Sequence, residues 1–444
     1  MGFRAAVRSA SGGERFAHRV VMTLATNALL MLVALVTGSI SARILGVAGR
    51  GELASIQLWA MLALTIMVFG TPAAVTYFAA RDPEQAGDYT TTALAINIGL
   101  SAVAMLVCYL ALPRLLAAQP ASTVDAARQY LWSIPIGLVM GLALAALQGR
   151  TRLFAWNALR VLAAVAWLIV LGFAWISGRR TAPDVARIYL IALAAMAAIC
   201  AAAVVASVPG PFQFRRSLVR PLYAYAVPSS LATLPQQSVF RLDQILIAAL
   251  LSQQLLGLYA VAVTWSGALA PLSAALSFVV FPHLARLRTA EHQADALGRV
   301  LRFALLFNLA LTVPLLLVTP LAIVLLFGRS FEPAVRISMI LVVAAGIGNV
   351  KSVLADAVRG SGAPYIVMWG ELAGFATMLL VLVASLRAYG LYAAAAASLL
   401  GYVTTLGVLL AFWSRRTGTK PVEFALPTRD EVAEFLGRVR GSLG

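Results

Sequence analysis

The stretch "VPGPFQFRRSLVRP", from Val208 to Pro221, is a polar connection in a chain that otherwise consists of long apolar runs. Prolines and arginines alternate in it with aromatic and aliphatic residues, a composition that suits the surface of a membrane better than its interior. Six apolar runs precede it and six follow it. The stretch therefore predicts a linker between two six-helix halves.

The composition supports a membrane protein. The chain has 444 residues, of which 61% are hydrophobic and 11% are charged, and its mean hydropathy is +0.89. These values lie outside the range of water-soluble domains. The net charge of +17 comes from arginines in short loops, so we expect no nucleic-acid partner. Cys108 and Cys200 lie inside apolar runs, so no disulfide, metal or other cofactor is expected.

Twelve apolar runs are long enough to cross about 30 Å of hydrocarbon, which takes roughly 20 residues each. Their apolarity is continuous and lacks the alternation of transmembrane strands. The predicted fold class is therefore an all-α polytopic membrane protein. The predicted spans are 20–42, 53–80, 89–112, 126–148, 153–177, 185–207, 222–251, 255–284, 297–327, 334–359, 364–386 and 390–413.

Loop charges predict the orientation of the chain. Arginines and lysines are more than twice as numerous on the side of the two termini, so both termini are expected in the cytoplasm. The predicted organisation has five parts: a cytoplasmic tail (1–19), an N-lobe (20–207), a linker (208–221), a C-lobe (222–413) and a cytoplasmic tail with a short amphipathic helix (414–444).

Internal similarity favours two related lobes. "ARILGVAGRGELA" at 42–54 matches "AALLSQQLLGLYA" at 248–260 with an offset of 206 residues, and "ALQG" at 146–149 matches "AVRG" at 357–360 with an offset of 211. The second match carries Arg160 onto Glu371. Because six is an even number of spans, the two lobes are expected to have the same orientation in the membrane. They are then related by pseudo-symmetry about an axis along the membrane normal, with a central cavity between them. Chance similarity of alanine-rich helices is the alternative.

Polar residues mark candidate cavity faces in the first span of each lobe. In the seventh span, Gln237, Arg241 and Gln244 follow Ser230 on one helical stripe, whereas Asp243 lies about 200° around the helix from Arg241. In the first span, Asn27 shares a face with other polar residues. Such stripes suit a water-filled cavity, and the alternative is interhelical hydrogen bonding.

Charged residues inside the apolar runs are the strongest site candidates. A charge at mid-membrane depth costs roughly 2.5 to 3.5 kcal/mol, so it implies a partner, a cavity or a substrate. Asp356 and Arg359 suit a structural pair. Arg160 and Glu371 are either partners that lock the lobes together or separate cavity residues. The candidates within spans are Arg160, Arg241, Asp243, Lys351, Asp356 and Glu371.

No soluble enzyme chemistry is visible. The chain lacks a P-loop, a zinc signature and a nucleophile elbow. No loop is long enough for the catalytic domain of an intramembrane glycosyltransferase. The chain is therefore not expected to be an enzyme.

Six motifs carry a resemblance to a known family. They are "SARILGVAGRGELASI" at 41–56, "GTPAAVTYFAAR" at 70–81, "FRLDQILIAALLSQQLLGLYAVA" at 240–262, "FPHLAR" at 281–286, "LADAVRGSGAP" at 354–364 and "GELAG" at 370–374. Together they resemble the bacterial polysaccharide flippases of the O-antigen type. These belong to the multidrug/oligosaccharidyl-lipid/polysaccharide exporter superfamily, which also contains multidrug antiporters and lipid II flippases. The resemblance covers nearly the whole chain.

The resemblance implies a V-shaped exporter fold in the bacterial plasma membrane. It also implies transport of an undecaprenyl-pyrophosphate-linked oligosaccharide to the outer leaflet, alongside a polysaccharide polymerase and glycosyltransferases. Glu52 falls where the lipid II relatives carry an important acidic residue. Those relatives have arginines along the first span, where this chain has Asn27, so lipid II is a poorer substrate candidate.

The cavity charges separate the remaining alternatives. A multidrug antiporter is expected to have an acidic cavity, whereas Arg241 and Lys351 suit an anionic head group. We therefore expect substrate binding by Arg241, Gln237, Gln244, Asn27, Lys351 and Arg160. Asp243, Glu52 and Glu371 are candidates for charge pairing or for coupling to protons, to sodium ions or to the membrane potential.

Overall fold

Thirteen α-helices make up most of the described chain in this computed structural model, which covers residues 2–117, 119–269, 290–360 and 363–417. These ranges contain no strand, and for several helical segments, among them residues 2–21 and 231–241, only the backbone is described. The predicted tail helix lies outside the described residues. The helices are α1 Gly2–Met67, α2 Thr71–Arg81, α3 Ala86–Leu115, α4 Ala121–Tyr130, α5 Ser133–Gly149, α6 Leu153–Ile176, α7 Ala182–Ser207, α8 Arg216–Leu250, α9 Gln253–Ser266, α10 Ala290–Ala322, α11 Ala334–Gly360, α12 Pro364–Tyr389 and α13 Leu391–Thr417.

The helices confirm the predicted fold class. Nine spans within the described ranges are long and apolar enough to cross a membrane. They correspond to nine of the twelve predicted spans. Helices suit this environment because every backbone N–H and C=O group must find its partner inside the segment when no water is present.

The second predicted span, 53–80, is wrong as a single helix. α1 extends to Met67, and the chain then leaves the helical conformation at Phe69 (φ 41°) and Gly70 (φ 69°) before α2 begins. A Cβ atom on Gly70 would lie 2.3 Å from the carbonyl oxygen of Ala226. Hydropathy alone misses this break because the apolar character continues through it. The predicted spans 222–251 and 255–284 correspond to α8 and to α9, and the latter span ends outside the described residues.

The chain divides into two compact units. Unit 1 contains Met1–Leu45 and Glu52–Leu231, and unit 2 contains Gly46–Gly51 and Ala232–Gly444. Residues Gly46–Gly51 of α1 thus belong to unit 2, although the rest of α1 belongs to unit 1, and we call them the exchanged segment. A positive φ of 67° at Gly46 interrupts α1 where this segment begins. The division after Leu231 lies beyond the predicted linker, so residues 208–221 belong to unit 1.

Buried polar contacts hold this predicted linker against α3. Asp88, which is fully buried, forms an ion pair with Arg215 at 2.8 Å and accepts a hydrogen bond from the backbone N–H of Gln213 at 2.9 Å. The N–H of Gly87 donates to the carbonyl of Pro209 at 3.1 Å. Around this contact, small and aromatic side chains of α2, α3, α5 and α7 form the core of unit 1. The polar segment is thus a packed part of unit 1.

The core of unit 2 lies among α10, α11, α12 and α13. Side chains such as Leu301, Val353 and Trp413 are buried there. α12 and α13 approach closely, because a Cβ atom on Gly374 would lie 2.6 Å from the carbonyl oxygen of Gly401. Such small-residue contacts are typical of membrane helices, which gain little from burying apolar surface out of lipid.

The exchanged segment Gly46–Gly51 packs against the first turn of α9. A Cβ atom on Gly51 would lie 1.8 Å from the carbonyl oxygen of Gln253, and one on Gly257 would lie 2.0 Å from that of Val47. Gly51 matches Gly257 in the internal repeat, and Val47 matches Gln253 with the same offset of 206 residues. The contact is therefore reciprocal between the two copies of the repeat.

We expect Gly257→Ala to destabilise unit 2, because a methyl group would displace the backbone of Val47. The expected loss is about 1 to 3 kcal/mol or more, as for other overpacked interiors. Gly407→Ala is the control, since a Cβ atom there meets nothing within 4 Å and alanine favours a helix. Thermal unfolding of both variants in detergent tests this. Equal midpoints for the two variants would contradict the close contact.

Candidate functional site

A cavity of about 820 Å³ lies in unit 1, along the length of α2 and between the second half of α5, the first turn of α6 and the first half of α8. Its volume falls within the roughly 300 to 1,000 Å³ that is usual for small-molecule sites. Small apolar side chains line part of it. The polar and aromatic lining residues are Thr76, Tyr77, Arg81, Gln148, Trp156 and Tyr225.

Close helix contacts fix the walls of this cavity. A Cβ atom on Gly149 would lie 2.4 Å from the carbonyl oxygen of Thr76, so α5 and α2 touch through their backbones. The hydroxyl of Thr76 donates to the carbonyl of Ala145 at 3.1 Å across the same contact. Gly70, which precedes α2, likewise allows close contact with the backbone of α8 at Ala226. The positions of the lining side chains are therefore set by rigid helix packing.

Aromatic rings form one wall of the cavity. Tyr77 and Tyr225 stack with ring centroids 4.5 Å apart and an interplanar angle of 14°. Phe78 packs behind them and stacks on Tyr89 at 4.7 Å. Tyr77 is 40% exposed and Tyr225 is 38% exposed. Part of each ring, outside the faces stacked on each other, is therefore available to a ligand.

Arg81 gives the cavity a positive charge. This residue ends α2, is exposed, and donates a hydrogen bond to the hydroxyl of Tyr77 at 3.4 Å. That hydrogen bond raises the pKa of Arg81 above its usual value. Within the described ranges no carboxylate forms an ion pair with Arg81. Its guanidinium can therefore meet an anion.

The structure brings two predicted site residues, Arg160 and Asn27, into contact behind the cavity. The guanidinium of Arg160 lies over the Trp156 ring, 4.3 Å from its centroid. It donates to the side-chain oxygen of Asn27 at 2.8 Å and to that of Asn157 at 3.4 Å. Because Trp156 lines the cavity, this network orients one of its aromatic walls.

Lys351 and Glu371 form a buried ion pair in unit 2. The Lys351 ammonium lies 2.7 Å from a carboxylate oxygen of Glu371, and the residues are 1% and 3% exposed. Lys351 is therefore buried against Glu371, and its contact with a substrate stays a prediction. For Arg160 and Glu371, which the sequence left open as lobe-locking partners or separate cavity residues, the structure shows partners within their own units, Asn27 and Lys351. An unpaired charge would be costly in an apolar interior, so both residues have close partners.

Asp243 joins a polar cluster next to this pair. It is 5% exposed and accepts hydrogen bonds from the hydroxyl of Tyr259 and from that of Ser398, the latter at 3.3 Å. The ammonium of Lys351 lies 5.5 Å from the ring centroid of Tyr402. Asp243 therefore points into the core of unit 2.

The other predicted residues have separate positions. Glu52 is half-buried and accepts a hydrogen bond from the Thr123 hydroxyl at 2.8 Å. Asp356 and Arg359 form the predicted structural pair at 2.5 Å. Gln244 is half-buried in α8. The side chains of Gln237 and Arg241 lie outside the described residues, so their contact with a substrate stays a prediction.

Sequence reasoning missed most of the cavity. Tyr77 and Arg81 lie in the quoted motif "GTPAAVTYFAAR", where Arg81 served only to predict orientation. Gln148 and Trp156 lie near the ends of α5 and α6, and Tyr225 lies near the start of the predicted span 222–251. These residues all lie near the predicted cytoplasmic ends of their spans. That shared position is the sequence feature that could have indicated the site. Which spans are neighbours is decided by tertiary packing.

We expect Lys351→Met to destabilise unit 2 by about 3 to 5 kcal/mol, because it leaves the Glu371 carboxylate buried without its cation. The double variant Lys351→Met with Glu371→Met should recover most of this loss, since it removes both charges. Thermal unfolding of the purified chain measures both effects. A double variant as unstable as the single one would contradict the pairing.

The comparisons with known proteins concern both the family and the fold. A family described as "Polysaccharide biosynthesis protein" matches residues 17–288. No curated protein matches the chain. These residues extend from α1 past α9, so they include all four elements that line the cavity.

Solved structures show the fold. A lipid II flippase, MurJ, in its inward closed conformation superposes with a TM-score of 0.71 at 12% identity, covering 91% of this chain and 89% of that one. An inward-facing multidrug resistance MATE family transporter of the MOP superfamily gives 0.69 at 14% identity, covering 90% and 98%. A mutant MATE transporter from Vibrio cholerae gives 0.58 at 16% identity, covering 94% and 99%. The chain is therefore a multi-pass membrane protein with the fold that these transporters share.

Proposed function

Because the chain belongs to the polysaccharide biosynthesis protein family, we propose that it is a flippase for an undecaprenyl-pyrophosphate-linked oligosaccharide. It moves this repeat unit from the cytoplasmic to the outer leaflet of a bacterial plasma membrane, and it is a transporter rather than an enzyme. The observation that carries the proposal is the family match over residues 17–288 in a chain with nine membrane-length spans among its described residues. The likeness to MurJ in fold supports it.

The distribution of charge favours an anionic substrate over a cationic drug. The open cavity of unit 1 carries the cation of Arg81, whereas two acids within the spans of unit 2, Asp243 and Glu371, are buried against partners of their own. A pyrophosphate cannot enter hydrocarbon unaided, because an uncompensated charge there is very costly. Arginines can compensate it by forked hydrogen bonds to phosphate oxygens.

The lipid part of the substrate needs no protein site. Each CH₂ group buried in a membrane contributes about 0.8 kcal/mol, so the polyprenyl chain stays in the bilayer while the head group moves. Alternating access then requires only that the polar site open to each side in turn. Asp243 and Glu52 are candidates for coupling this cycle to protons, sodium ions or the membrane potential. Glycosyltransferases and a polymerase are the expected partners.

The test uses the host cell from which the chain comes. On depletion of the chain, lipid-linked oligosaccharide should accumulate and stay protected from a membrane-impermeant oxidant of sugar diols, such as periodate, in intact spheroplasts. Re-expression should restore its oxidation from outside. Unchanged oxidation after depletion would refute the proposed function.

Arg241 is the residue that the sequence favours for pyrophosphate binding, and the same assay tests it. Arg241→Ala should abolish outward movement with the protein still inserted, and Arg241→Lys should retain part of it, since lysine keeps the charge and loses the fork. Normal movement by Arg241→Ala at normal protein levels would remove Arg241 from the site.

The cytoplasmic location of both termini is tested by labelling in a background with Cys108→Ser and Cys200→Ser. A cysteine at Arg179, which is exposed between α6 and α7, should react with impermeant maleimide from outside. A cysteine at Arg152, exposed between α5 and α6, should react only with permeant maleimide. The reverse pattern would invert the orientation.

A further inference from the structure

The cavity of unit 1 combines three kinds of surface. Tyr77, Tyr225 and Trp156 offer aromatic rings, Gln148 and Thr76 offer hydrogen-bonding groups, and Arg81 offers a guanidinium. A sugar ring has an apolar C–H face and a rim of hydroxyl groups. A phosphate attached to that sugar adds an anion on one side.

These surfaces match the parts of a glycosyl phosphate. Aromatic rings carry a negative face, which attracts the slightly positive C–H groups of a sugar. Amide and hydroxyl side chains both donate and accept hydrogen bonds, as the sugar rim requires. The planar fork of an arginine fits phosphate oxygens.

We propose that the cavity of unit 1 binds the first sugar and the adjoining phosphate of a lipid-linked glycan, with the sugar against Tyr77, Tyr225 and Trp156 and the phosphate at Arg81. The proposal rests on the proposed function and adds a binding site to it. The cavity volume of about 820 Å³ accommodates a short part of an oligosaccharide. The rest of the glycan therefore extends beyond the cavity.

The position of the cavity fits the side from which the substrate enters. Arg81 ends α2, Gln148 is the penultimate residue of α5 and Trp156 lies in the first turn of α6. The positive-inside rule places all three ends on the cytoplasmic side. A glycan assembled in the cytoplasm on a lipid carrier therefore meets this cavity before it crosses the membrane.

Two contacts hold the site in position. Tyr77 holds Arg81 by a hydrogen bond of 3.4 Å, and Arg160 holds Trp156 by lying over its ring at 4.3 Å. The partners of Arg160, Asn27 and Asn157, fix that guanidinium in turn. The aromatic wall and the cation are thus held in place before a ligand arrives.

The test places a photocrosslinking amino acid at Ala73, an exposed position in the cavity wall, in the full chain in host membranes. The matched control position is Ile191, which is 72% exposed on α7 of the same unit. Mass spectrometry of the adducts should find glycan, pyrophosphate and prenyl chain together at Ala73. The control should give only phospholipid.

Two pairs of substitutions make the test specific. Gly141→Phe should fill the cavity, since Gly141 lines it and a Cβ atom there meets nothing within 4 Å, and Gly172→Phe is its exposed control on α6. Arg81→Ala removes the cation. Its control is Arg180→Ala, since Arg180 is also exposed beside an aromatic ring and lies 4.2 Å from the ring centroid of Trp175. We expect Gly141→Phe and Arg81→Ala to lower the Ala73 adduct about tenfold or more, and the controls to leave it unchanged.

The outcomes separate this site from the proposed function. Adducts at Ala73 that contain only phospholipid, or a nucleotide sugar without a prenyl chain, would overturn the site. So would wild-type adduct yields in both Gly141→Phe and Arg81→Ala. Outward movement of the glycan in the oxidation assay would still support the flippase in those cases. If cells that express the unmodified chain show no outward movement of the glycan, the proposed flippase function itself is refuted.

Discussion

Close contact between helix backbones is the constraint on which the structure depends. In lipid, apolar side chains gain little by leaving the hydrocarbon, so helices associate where small residues allow their backbones to meet. Gly149 brings α5 onto α2, Gly374 brings α12 onto α13, and Gly257 brings α9 onto the exchanged segment. Each contact sets the rotation of its helices, and rotation decides which side chains face a cavity and which face the core.

The charged residues buried within the spans of unit 2 and those at the cavity of unit 1 have different surroundings. In unit 2, Lys351 and Glu371 neutralise each other, and Asp243 is satisfied by the hydroxyls of Tyr259 and Ser398. In unit 1, Arg81 is exposed beside aromatic rings, and Arg160 lies over Trp156. Paired buried charges contribute to the fold mainly through the penalty for separating them, whereas an exposed guanidinium retains donors for a ligand. The exposed cation of the cavity supports the proposal that an anionic head group binds in unit 1.

The chemistry of unit 1 fits a lipid-linked glycan better than either half of that substrate alone. A free phosphate would need more cations than Arg81, and a neutral sugar would need none. A lipid tail would need an apolar groove, yet the membrane already solvates it. A site with aromatic walls, a few hydrogen-bonding groups and one cation suits the junction between sugar and phosphate. Arg160 and Asn27 then have a role in positioning the Trp156 wall.

The sequence by itself determined the fold class and nine of the described spans, because continuous apolarity over about 20 residues has few other physical explanations. Its internal repeat also indicated the related glycines Gly51 and Gly257, which the structure places in reciprocal contact. Only the tertiary structure decided the break before α2, the pairing of Lys351 with Glu371 and the assembly of the cavity. These features depend on which helices are neighbours and how each is rotated. That information resides in backbone contacts between distant segments, which hydropathy and helical periodicity do not describe.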